Sequence, residues 1–155
     1  MTRIFKKIVL FALLAVLVLS MSACGGEQSE IKALTTRFEK SCNKLELNEM
    51  LDCIEPDVAQ GVKAITGVIG MFTDADTDEL LDKFGAILFS EMPENSKEFF
   101  SSIKITVNDV EVDKDNATAS AEIAYEISGE ESVANAYFEY VRIEEEWYIT
   151  NLDLE

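Results

Sequence analysis

Apolar residues change their spacing once along this chain, and that change limits the folds open to it. From Ile31 to about Pro93 they recur at steps of three and four; from about Phe99 onward they alternate every second position. The first spacing lays one face of a helix on a core, the second one face of a strand. Helices followed by a run of strands argue for an α+β fold, with N-terminal helices packed on a curved four-stranded antiparallel sheet.

In the helical part, Ile31, Leu34, Phe38, Cys42 and Leu45 share one face, with Lys32, Arg37, Glu39 and Lys40 between them and Ser29 as cap. A brief second helix is expected over residues 48–54, capped by Asn48 and limited by Pro56. The next helix starts at Pro56 or Asp57 with a stripe of Val58, Val62, Ile65, Ile69 and Phe72. Gly61, Gly67 and Gly70 weaken it and read as close packing against a neighbour. After a loop at 73–76, Asp76 and Glu79 fit a capping box. Leu80, Leu81, Phe84, Ile87 and Leu88 then form the face of a fourth helix, which Pro93 ends.

In the strand part, Ile103, Ile105 and Val107 alternate, and the phase then slips to Val110 and Val112. A bulge near Asn108 and Asp109 accounts for the slip and bends the strand. Residues 113–116 form a hairpin turn. Ala117, Ala119, Ala121, Ile123, Tyr125 and Ile127 line one face of the next strand. Turns at 128–131 and at Glu144, Glu145 and Glu146 bound a third strand over 133–143, and a last one covers 147–152. Nothing repeats, so residues 31–155 read as a single α+β domain.

The first residues carry a different signal. Arg3, Lys6 and Lys7 precede an apolar run over residues 8–19, and Met21-Ser22-Ala23-Cys24 follows. A basic start, a short apolar segment and small residues mark an export signal. A membrane span needs about 20 apolar residues, more than this run supplies. The last four residues resemble the lipobox of bacterial lipoproteins. That resemblance implies a signal peptide over 1–23, cleavage before Cys24, and lipid of the palmitate kind attached to Cys24. It also implies a lipidated tether over 24–30 and a domain held at the cell membrane outside the cytoplasm. Two or more chains anchor stably, where one holds only marginally.

Charge and composition narrow the partners. The chain has 30 acidic and 13 basic residues; three of the basic ones lie before Cys24, so the remainder carries a net charge of −20. Nucleic-acid binders need basic patches against phosphate, so nucleic acid is excluded. Flat docking on anionic lipid is disfavoured as well, leaving the lipid on Cys24 as the hold on the membrane. There is no histidine, which removes the commonest general base and metal ligand. Neither metal nor cofactor is expected. Asp74, Asp76 and Asp78 imitate the opening of a calcium loop, but its sixth and twelfth places hold Glu79 and Gly85 instead of Gly and Glu. In an exported protein Cys42 and Cys53 read as a disulfide, the alternative being two buried thiols.

Helix, the short Leu47-Asn48-Glu49-Met50-Leu51 segment before an Asp/Pro loop, a third helix and a strand meander closing on Glu145-Glu146-Trp147-Tyr148-Ile149-Thr150 resemble the nuclear transport factor two-like (cystatin-like) superfamily. They are similar in particular to small lipoproteins of Gram-positive bacteria that carry this cone-shaped domain. The resemblance implies an interior that sometimes opens as an apolar pocket, with Tyr125, Tyr140 and Trp147 where a ligand would touch. Relatives such as ketosteroid isomerase set a Tyr and two acidic side chains inside the cone. Here Tyr125 and Tyr140 offer phenols without an inward carboxylate, so no catalytic role is carried over. The expected function is non-catalytic binding or interaction at the cell envelope, with an envelope protein or a small apolar ligand as partner. The alternative is a small-molecule carrier or enzyme using the cone's interior.

Overall fold

The computed structural model describes residues 26–70 and 77–155. Helix α1 covers residues 26–44, followed by α2 (Leu47–Leu51), α3 (Pro56–Gly70), α4 (Thr77–Ser90) and α5 (Glu94–Ser102). Four strands follow: β1 (Lys104–Asp113), β2 (Asn116–Ile127), β3 (Glu130–Ile143) and β4 (Glu146–Leu154). They form one antiparallel meander in the order β1-β2-β3-β4. The α+β expectation is met, with five helices and a four-stranded antiparallel sheet among the described residues.

The bulge in β1 falls where the phase slips. Val107 pairs with Ala121 and Asp109 with Ser120, leaving Asn108 as the extra residue. A second irregularity, which the alternation did not reveal, lies in β4, where Glu139 faces Asn151 and Tyr140 faces Ile149. Together they curve the sheet around α1. Ile31 and Cys42 of α1 are buried against Ala119, Ala121, Phe138 and Tyr140, with Leu34, Phe38 and Leu45 packed at the margin. The helix closes with Leu45 in the left-handed region, its N–H donating to the Cys42 carbonyl and that of Glu46 to the Ser41 carbonyl. This is a Schellman ending with leucine in the glycine place, held there by packing on the core.

Several helix expectations are corrected. Ser29 is not a cap, because α1 is already helical at residue 26, and 26–30 are its first turns rather than a free tether. Asn48 does not cap α2 either; Glu46 precedes that helix, and the Asn48 Oδ1 is buried with no partner among the described residues. Pro56 is the first residue of α3, where its missing N–H costs nothing. Val58 points to solvent and Ala59 is buried in its place. A Cβ at Gly61 would meet nothing within 4 Å, so close packing does not explain that glycine. What surrounds Gly67 and Gly70 is not described, and the loop with Asp74 and Asp76 lies outside the described residues.

The face of α4 is turned from its expected phase. Leu81 and Phe89 are buried, whereas Phe84, Ile87 and Leu88 are exposed. Leu81 joins Leu51 and Ala59 in a second small core under Leu47 and Val62, so the α3–α4 pair is stacked on α2. A Cβ at Gly85 would lie 3.0 Å from the Leu47 Cβ; this glycine is where α4 and α2 approach closely. Helix α5 was not expected. Pro93 precedes it, and Phe99 and Phe100 turn inward against Tyr125 and Phe89. Its Glu98 carboxylate accepts the Ser128 and Gly129 N–H groups of the β2–β3 turn, and the Ser102 hydroxyl accepts the Glu126 N–H at 2.7 Å.

Candidate functional site

The segment between α2 and α3 lies beside the start of β4. The Ile149 N–H donates to the Cys53 carbonyl (2.9 Å), and the Glu55 N–H to the Ile149 carbonyl (3.0 Å). Among the described residues the far half of β4 has no such cover. There Leu152 faces Phe138 and Leu154 faces Ala136 on the concave side of the sheet. Beneath these two leucines is a cavity of about 170 Å³ walled by Phe38 and Cys42 of α1, Phe99 and Phe100 of α5, and Ile105, Ile123, Tyr125 and Ala134 of the sheet. Leu154 is 58% exposed and Leu152 37% exposed, so the two leucines form an open lip.

The walls are apolar, and no carboxylate, lysine or amide side chain lines them among the described residues. Phe99 meets the edges of Phe100 (5.3 Å) and Tyr125 (5.0 Å) at steep angles, which fixes the shape of that wall. Among the described residues the lining offers two nucleophiles, the Tyr125 phenol and the Cys42 thiol. Burial pushes its pKa up to about 12, so it stays protonated and inert near neutral pH. A volume near 150 Å³ lined by apolar side chains suffices for benzene or xenon. The cavity therefore suits one ring or a short alkyl segment, below the roughly 300 Å³ of a site that encloses a whole drug-sized ligand. It can exclude water from the apolar group it holds.

Of the three aromatics expected at a pocket, Tyr125 is in its wall and the other two are elsewhere. Tyr140 is buried deeper. Its hydroxyl lies 2.8 Å from the Thr35 Oγ1, which donates its own proton to the Ile31 carbonyl, so the phenol is the donor. Burial pushes that phenol up to about 12. Trp147 is near the opposite end of the sheet, under the Arg142 guanidinium at 5.3 Å, with Nε1 unpartnered among the described residues. Cys42 and Cys53 are both buried free thiols, the second of the two arrangements considered for them. Burial raises Cys53 to about 11, and its thiol donates to the Glu49 carbonyl. Cys24 lies outside the described residues. Phe99 and Phe100 went unnoticed because their helix did, and Leu154 because the last strand runs two residues past its expected end. The alternation of Leu152 and Leu154 with Asn151 and Asp153 was the available signal.

A wider cleft, about 760 Å³ and open to solvent, separates α1, α2 and α4. Its charged groups, Arg37, Lys40 and Lys44 against Glu46, Glu49 and Asp82, are equal in number; Arg37 bonds Glu49 at 3.0 Å, and Lys44 lies 3.6 Å from Glu46. The hydrogen bond to Glu49 raises the Arg37 pKa further. The cleft gathers no excess of either sign.

No protein-family model matches the chain, and no curated protein matches its sequence. Solved structures share its architecture. A nuclear transport factor 2-like protein of unknown function from Shewanella oneidensis aligns with a TM-score of 0.54 at 13% identity, over 83% of this chain and 98% of that one. An NTF2 form carrying five substitutions gives 0.53 at 12% identity, over 83% and 99%. A protein of unknown function with a cystatin-like fold from Nostoc punctiforme aligns at 15% identity with a TM-score of 0.49, over 83% and 89%. The first two show the fold and nothing beyond it: this chain has the nuclear transport factor two-like architecture.

Proposed function

We propose that this chain is a lipid-anchored domain of a bacterial cell envelope that works outside the cytoplasm by binding rather than by catalysis. A fold does not carry a function, so the reading rests on two sites. The first is Cys24, preceded by a basic start, a short apolar run and Met21-Ser22-Ala23. Lipid attached to Cys24, with two or more acyl chains, supplies the hold on the membrane that a surface of net charge −20 does not. The second is the apolar cavity at the end of the sheet, and it carries the binding half of the reading. Its size and its lack of polar lining fit the capture of a ring or short alkyl group, on a small ligand or on an envelope protein.

The two halves are tested separately. Mass spectrometry of the chain purified from the envelope of a bacterial host is expected to find an N-terminal acylated Cys24, and Cys24→Ser is expected to leave the protein unlipidated. A Cys24→Ser protein still acylated and membrane-bound would sink the anchoring half. For the binding half, toluene added to isotope-labelled protein is expected to shift the methyl resonances of Ile105, Ile123, Leu152 and Leu154. Ala134→Leu, which fills the cavity, is expected to abolish those shifts. Shifts that persist in the filled variant, or that occur only elsewhere, would remove the pocket from the account.

A further inference from the structure

The two ends of the sheet differ in a way that sets how an anchored domain stands. The turns joining β1 to β2 and β3 to β4 lie at one end, and the β2–β3 turn and the cavity lie at the other. The start of α1 is fixed to the first end. Glu27 bonds Arg142 at 2.6 Å, Arg142 bonds Asp115 of the β1–β2 turn at 3.0 Å, and the Gln28 side chain donates to the Val110 carbonyl at 3.1 Å. Only Gly25 lies between Cys24 and residue 26, and the two chain steps reach about 7 Å even when fully extended. We infer that the domain stands end-on, with the hairpin end bearing Asp115, Glu144 and Glu145 toward the bilayer and the apolar cavity opening away from it.

This orientation rests on the proposed lipidation of Cys24. Given that attachment, the acyl chains enter the membrane beside the one end of the domain to which α1 is pinned. From Ala117, next to that end, to Tyr125 in the cavity wall, β2 runs eight residues, about 26 Å at the rise of a strand. Charge favours the upright posture over lying flat. The domain is acidic throughout, and an anionic leaflet repels it over a Debye length of about 8 Å at physiological salt. Standing on one end brings the least of that surface near the headgroups. The cavity then meets its ligand from the aqueous side, without direct access to bilayer lipid.

The test uses the full-length chain, processed in a bacterial host and reconstituted in nanodiscs of phosphatidylglycerol and phosphatidylcholine with a gadolinium-bearing headgroup lipid. The mass of the N-terminal peptide is measured on the same sample. Amide resonances of residues 114–115 and 144–145 are expected to lose most of their intensity to the paramagnetic headgroups, while those of 128–130 and 154 keep theirs. Broadening concentrated at 128–130, or equal at both ends, in protein whose Cys24 is acylated would overturn the orientation alone. An unmodified Cys24 would overturn the anchoring reading, and the orientation with it.

Discussion

A methyl group added at Gly85 would sit 3.0 Å from the Leu47 Cβ, an atom tied to the α2 backbone and unable to swing aside. Alanine in a helix interior gains about 1 kcal/mol over glycine, and overpacking of this kind costs about 1–3 kcal/mol. Gly85→Ala is therefore expected to destabilise the fold by about 1 kcal/mol. Gly61→Ala, which meets nothing within 4 Å, is expected to stabilise it by up to about 1 kcal/mol. Urea denaturation of both variants checks the pair, and a common sign would refute the packing argument. The sequence points to the glycines of α3 for a close approach, and Gly85 stands out in it only at the twelfth place of an imitated calcium loop. Composition marks where a side chain is missing; only the partner helix shows whether one would fit.

Buried acids at the same scale set an alkaline limit. Burial raises Cys42 from 9.0 to about 12, Cys53 from 9.0 to about 11, and Tyr140 from 10.0 to about 12. Each group is neutral when protonated, and the fold favours that form. Their stabilising contributions are thus fully present below about pH 9 and are lost as pH rises toward 11–12, at roughly 1.4 kcal/mol per pH unit for each group in its window. Urea midpoints are expected to fall steeply across that interval. Cys42→Ala is expected to flatten part of the fall, because alanine has no proton to lose. Equal slopes for the two proteins between pH 9 and 11 would show that Cys42 contributes nothing to it.

Among the described elements, the β3–β4 turn stands out for two successive non-glycine residues at positive φ. Glu144 and Glu145 have φ of 50° and 73°, the left-handed region that a two-residue hairpin of this kind demands and that Asn-Gly normally supplies. Each non-glycine residue there costs about 1–2 kcal/mol, and the two carboxylates repel. Glu145→Gly is expected to raise the thermal midpoint by several degrees, read by circular dichroism; an unchanged or lower midpoint would mean that the turn is relaxed as it stands. The strands themselves were legible in the sequence. Their one-sided alternation leaves a single register, and the slip between Val107 and Val110 located the bulge. The helices were less so. In α4, Phe84, Ile87 and Leu88 share a face as readily as Leu81 and Phe89 do, and the choice falls to α2, which presents Leu47 and Leu51 to the second face. For α5 the short polar stretch after Pro93 hides Phe99 and Phe100, and with them one wall of the cavity.

For the whole molecule the dominant quantity is charge. Thirty carboxylates face ten basic groups after Cys24. Arg37, Lys44, Lys83, Lys97 and Arg142 each form ion pairs in the structure. Two opposed effects of salt follow. Added salt weakens those exposed pairs, each worth about 0–1 kcal/mol. It also screens the repulsion among some twenty uncompensated negative charges, which the compact state brings closer together than the unfolded chain does. The Debye length shrinks from about 30 Å at 0.01 M to about 8 Å at 0.15 M, from nearly the span of the domain to the spacing of near neighbours. Long-range repulsion is thus removed while short contacts partly survive, and screening wins. The thermal midpoint is expected to rise by several degrees over that range, equivalent to about 1–2 kcal/mol. Choline chloride and sodium chloride are expected to give superimposable curves, since screening depends on ionic strength alone. A falling midpoint would put the exposed pairs in control of stability. A rise with sodium but not with choline would replace diffuse screening by a cation held at fixed carboxylates.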